Sequence, residues 1–76
     1  MRGLNHTTVT TTIRKLPRGQ FEEFVTDEGT ILVARMNDGA LTAKLQGPKR
    51  RAATMREFKE HEAMDVATYV CSNLNA

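Results

Sequence analysis

Seventy-six residues, 39% apolar and 26% charged, describe one small globular domain and exclude a disordered chain. A net charge of +2 is too weak by itself to announce a nucleic-acid partner, and the single Cys71 excludes an internal disulfide framework and a multi-cysteine zinc site. A domain this small buries little apolar surface, so a host protein or a second copy of the chain (a homodimer) is a candidate partner.

In chain order, residues 1–6 read as a loose arm. Thr7 to Leu16 is rich in β-branched residues and poor in helix formers, which predicts a first strand over 7–16. Pro17-Arg18-Gly19 is a turn and 20–26 a second strand. A loop from Pro17 to Gln20 would set Leu16 against Phe21, Lys15 against Glu22, Arg14 against Glu23 and Ile13 against Phe24, two apolar and two opposite-charge pairs.

Asp27-Glu28-Gly29 turns into a third strand over 30–36, and Asn37-Asp38-Gly39 into a fourth over 40–46. Centring the second hairpin on Asp38-Gly39 pairs Met36 with Leu41, Ala34 with Ala43 and Leu32 with Leu45. That puts the apolar pairs on one face and Arg35, Thr42, Lys44 and Gln46 on the other.

Gly47-Pro48 ends the sheet. Thr54 and Glu57 fit a capping box, and Met55, Phe58, Ala63, Val66, Ala67, Val70, Cys71 and Leu74 form a stripe at helical spacing. The expected fold is therefore α+β: a four-stranded antiparallel meander packed against one C-terminal amphipathic helix over about 54–74, with Pro48 as an earlier start.

No apolar run approaches the roughly 20 residues of a membrane span. The stretch Met1-Arg2-Gly3-Leu4-Asn5-His6-Thr7 lacks the apolar core of a signal peptide. A cytoplasmic protein with no membrane partner is expected, and a bacterial or phage source fits.

Nearly every apolar residue is assigned to the core, which leaves charge as the functional signal. The tract Gly47-Pro48-Lys49-Arg50-Arg51 could contact phosphates or an acidic protein surface, or serve as a solvated linker. Arg18 at a hairpin tip could probe a groove or be a tolerated turn residue.

His61, with Glu57 four residues before it, falls short of a metal site, and His6 stands apart. Cys71 lies on the apolar stripe and reads as a small core residue, and Ser72 has no catalytic partner. The glycines are spaced as turn residues and match no phosphate-binding fingerprint. With Phe21, Phe24 and Phe58 needed inside, only Tyr69 remains as an exposed ring, which disfavours single-stranded nucleic acid.

Two resemblances follow from these residues. The segment Ile13-Arg14-Lys15-Leu16-Pro17-Arg18-Gly19-Gln20-Phe21, with Phe58 and Glu62-Ala63 further on, resembles the N-terminal arm-type DNA-binding domain of phage integrases. In that family a three-stranded sheet enters the major groove with a helix behind it, so the resemblance implies duplex DNA binding by the sheet. The chain departs from the family in a fourth strand, in a shorter interval from Phe58 to Glu62-Ala63, and in Glu22 and Glu23 where cations would face DNA. In size and architecture the chain also resembles small phage inhibitors of the anti-CRISPR type, a class that no motif defines.

The resulting expectation is a non-enzymatic inhibitor or adaptor of phage type, without cofactor or metal. It would occlude a host protein or nucleoprotein complex through Arg18, Lys49, Arg50, Arg51 and Arg56. The alternative is duplex DNA binding, with Arg35, Lys44 and Arg18 as readers. An enzyme would need a pocket joining His61 to paired carboxylates.

Overall fold

Two helices flank four strands in chain order in the computed structural model, which describes residues 4–46 and 54–75. The order is α1 (His6–Arg14), β1 (Phe21–Thr26), β2 (Gly29–Arg35), β3 (Leu41–Gln46), β4 (Thr54–Phe58) and α2 (Ala63–Leu74). The strands form one antiparallel sheet in chain order β1-β2-β3-β4. α2 lies across one face of it, and α1 packs on α2. The α+β class, the four-stranded antiparallel meander and the C-terminal helix agree with the sequence reading; two element assignments and two registers do not.

The segment 7–16 is a helix rather than the first strand. Asn5 caps it: its Oδ1 accepts the Thr8 N–H at 3.1 Å, satisfying one of the free donors of the first turn. The threonines then turn inward on their own helix, with Thr10, Thr11 and Thr12 hydroxyls donating to the carbonyls of His6, Thr7 and Thr8. Low helix propensity is overridden because Val9 and Ile13, one helical turn apart, are almost wholly buried.

A consequence can be measured. Thr11 is exposed, so Thr11→Ala should raise stability by about 0.5 kcal/mol through helix propensity. In a strand the same change would lower it, and thermal unfolding decides the sign.

The single helix expected over 54–74 is split. Thr54–Phe58 is β4, paired with β3 so that Leu41 faces Phe58 and Thr42 faces Glu57. The Thr54–Glu57 capping box does not form. The helix begins at Ala63 after a turn closed by the Lys59 N–H donating to Glu62 Oε1 at 2.6 Å, and Asp65 sits in its first turn, where a negative charge meets the helix dipole.

The second hairpin shifts by one residue, pairing Arg35 with Leu41, Val33 with Ala43 and Ile31 with Leu45. The loop is Asn37-Asp38-Gly39, closed by Met36 N–H to Ala40 O at 2.7 Å and Gly39 N–H to Met36 O at 2.9 Å. Gly39 takes φ +97°, which a side chain would strain. A one-residue shift turns every side chain over. Ile31 and Val33 therefore enter the core with Arg35, while Leu32 and Ala34 leave it.

The first hairpin changes completely. β1 pairs with β2, Phe24 against Ile31 and Glu22 against Val33, so the expected Arg14–Glu23 and Lys15–Glu22 pairs do not form. Part of the expected loose arm is tied down as well. Leu4 N–H donates to Asn75 Oδ1 at 2.6 Å, and Asn75 Nδ2 donates back to the Leu4 carbonyl at 3.0 Å.

Candidate docking surface

The sheet has one face under the helices and one face open, and strand parity determines what each carries. With Phe24, Ile31, Val33, Leu41, Ala43, Leu45 and Phe58 turned to the core, their neighbours point outward. The cross-strand registers then set rows on the open face: Phe21–Ala34–Thr42–Glu57, Glu23–Leu32–Lys44–Met55, and Val25–Thr30–Gln46. Phe21, Val25 and Met55 are 65%, 61% and 60% exposed, and Leu32 and Ala34 between them are half-buried. An open face with an aromatic, a valine, a leucine and a methionine is more apolar than solvation alone would select.

Sequence reasoning missed this surface because the expected register assigned Leu32 and Ala34 to the core. One signal was present. Phe21 and Phe24 are three apart on a strand and cannot share a face, so one had to point outward.

The cations expected to form a site are dispersed. Arg35 is a correction: expected on the solvent face, it is only 8% exposed. Its Nε donates to Leu16 O at 2.7 Å, its Nη2 to Ile13 O at 2.9 Å and its Nη1 to Gly39 O at 2.8 Å. It ties the end of α1 to the β2–β3 turn and reads nothing outside the molecule.

Arg18 is exposed as expected, but its Nη2 lies 3.1 Å from Glu60 Oε2 and its Nη1 donates to Asn37 O at 3.3 Å. That is the one ion pair among the described residues, and its exposure makes it a weak contributor. Arg56 lies on the helix side of the edge strand β4, its guanidinium carbon 5.0 Å from the Phe58 ring centroid and 5.3 Å from that of Tyr69. Of the expected readers, only Lys44 stands on the open face, accompanied by Glu23 and Glu57. Lys49, Arg50 and Arg51, with the rest of the Gly47–Arg51 tract, lie outside the described residues.

His6 Nε2 sits 3.0 Å from Thr68 Oγ1 between the two helices, while His61 is exposed beside Glu60. Cys71 Sγ is 3.8 Å from the Leu4 carbonyl, and burial pushes its thiol pKa up, away from the thiolate a nucleophile needs. Among the described residues no group of three or more His, Cys, Asp or Glu side chains could hold a metal ion, and no helix is long and apolar enough to cross a membrane. One open groove, of about 500 Å³, runs between Arg56, Phe58, Glu62, Asp65 and Tyr69.

No protein-family model, no curated protein and no solved structure matches the chain.

Proposed function

We propose that this chain is a non-enzymatic protein-binding domain, of the inhibitor or adaptor kind, that acts by covering a surface with the open face of its sheet. The observation that supports this reading is that Phe21, Val25, Leu32 and Met55 stay outside while both helices lie on the other face. Apolar anchors of this kind, an aromatic above all, supply binding energy once desolvated by a complementary protein. Arg18 and Lys44, both exposed, would act on encounter rate more than on residence time. The duplex-DNA alternative loses support because Arg35 is buried and Lys44 shares its face with two carboxylates.

Site-directed photocrosslinking tests the reading. A benzophenone is attached to Met55→Cys on the open face, or to Thr11→Cys on the exposed side of α1, each in a Cys71→Ala background. After incubation in a cell lysate, protein adducts are expected from the Met55 position and not from the Thr11 position. Leu32→Glu should reduce their yield at least about tenfold, since it buries a charge at the centre of the contact. Equal adducts from both positions, or adducts made of nucleic acid, would overturn it.

A further inference from the structure

We propose that the occupant of the open face is a second copy of this chain. The two sheets would pack face to face about a two-fold axis running along β2, with Glu23 of each copy against Lys44 of the other. This rests on the protein-docking reading of that face and adds to it the partner and the geometry.

Charge placement selects the arrangement. In the central row, Glu23 and Lys44 stand one strand to either side of Leu32, each about 4.8 Å away along the hydrogen-bonding direction. Both are exposed, and neither has an ion-pair partner among the described residues. Turning a second sheet over about an axis parallel to β2 exchanges the positions of its β1 and β3. Glu23 then meets Lys44 of the second copy, and Lys44 meets the second copy's Glu23. An axis across the strands through the same row would instead stack Glu23 on Glu23 and Lys44 on Lys44. Like charges in contact disfavour that orientation and leave the first.

Residues on a two-fold axis meet themselves, so a charge there would repel its own image. Along β2 the outward residues are Thr30, Leu32 and Ala34, all uncharged. Leu32 packs on Leu32 and Ala34 on Ala34. Phe21 in the flanking row lies over Thr42 of the second copy, whose methyl group can accept the ring edge. Aligned sheets pack about 10 Å apart at a modest angle, a spacing these side chains can fill.

Size makes the association a weak one. The molecule measures 32 × 26 × 16 Å, the short dimension being that of one helix layer on one sheet. An axis along β2 lays β1, β2 and β3 over their counterparts and leaves β4 outside, so the overlap of three strands spans roughly 300 Å² in projection, a small contact beside the ~800 Å² that each partner buries in a standard interface. A domain of 76 residues is also in the range where association commonly supplements a small core.

Sedimentation equilibrium from micromolar to millimolar concentration tests this, with circular dichroism confirming that each variant is folded. The wild type should shift from monomer to dimer across that range. Glu23→Lys and Lys44→Glu should each weaken association at least about tenfold by placing like charges in contact. An equimolar mixture of those two single variants should recover a heterodimer, because one presents two lysines and the other two carboxylates. The double variant Glu23→Lys/Lys44→Glu should regain the homodimer.

A wild type that remains monomeric at millimolar concentration overturns the proposal. So does association unmoved by either charge reversal, which would belong to the free strand edges of β1 or β4. In both cases crosslinks from the Met55 position to another protein would leave the docking reading standing, so the two failures are distinguishable.

Discussion

Arg35→Met is expected to cost about 3–5 kcal/mol, the scale of removing a buried, fully bonded charge. For a 76-residue domain at roughly 0.05–0.15 kcal/mol of stability per residue, that is between about a quarter of the whole and all of it. Three backbone carbonyls, from Ile13, Leu16 and Gly39, accept from the guanidinium at 2.7–2.9 Å. No carboxylate faces it in these bonds. The compensating charge is the negative end of α1, whose last turn supplies the Ile13 carbonyl. Methionine fills much of the same volume but donates nothing, so the Leu16 and Gly39 carbonyls lose these bonds where water enters poorly, while the Ile13 carbonyl keeps the Leu16 N–H at 3.1 Å. Arg35→Lys should recover only part of the loss, because one ammonium cannot match a planar fork aimed at three oxygens. Urea unfolding followed by circular dichroism checks both variants. A methionine variant within about 1 kcal/mol of the wild type would mean that the fork does not hold the helix to the turn.

The second large effect is on the other side of the same junction. Ile13 is fully buried on α1, and Ile13→Ala should cost about 2–5 kcal/mol through lost transfer energy and the cavity left behind. Ile13→Val, which removes one methylene, should cost about 0.5–1.5 kcal/mol. Both are read from denaturant midpoints at constant slope. The size of the effect distinguishes a helix essential to the core from a peripheral one. Paired with Thr11→Ala, which touches only the exposed side of α1, it also maps which side of the helix carries the packing. Because Arg35 bonds the Ile13 carbonyl, Ile13→Ala and Arg35→Met should be non-additive when combined.

If the sheet face is a dimer interface, the cations left outside it are presented twice over. Arg18 lies at the α1–β1 corner and Arg56 on the helix side of β4, both away from the open face. A two-fold assembly would leave them free to set the approach of a further partner. The face that joins two copies is then no longer available to cover another protein, so a dimer would meet any further partner at its rims.

The local chemistry of the sequence determined the strands at β1, β2 and β3, the turns between them, and the apolar stripe of α2. Those segments carry their own instructions. Gly39 marks the second turn, β-branched runs mark strands, and Val66, Ala67, Val70 and Leu74 repeat at helical spacing. Three decisions were left to tertiary structure. Val9 and Ile13 share a face in a strand as well as in a helix, so 7–16 was settled by packing on α2, against its own β-branched propensity. Met55 and Phe58 fit a helical stripe, yet Thr54–Phe58 became a strand because β3 offered an unpaired edge to which an isolated segment is blind. The register of β2 on β3 depended on whether the turn holds two residues or three. That single step moved Leu32 to the surface and Arg35 to the interior. The docking face was thus illegible for one physical reason: it depends on pairing between segments, and side-chain direction in a sheet reverses with every residue of register.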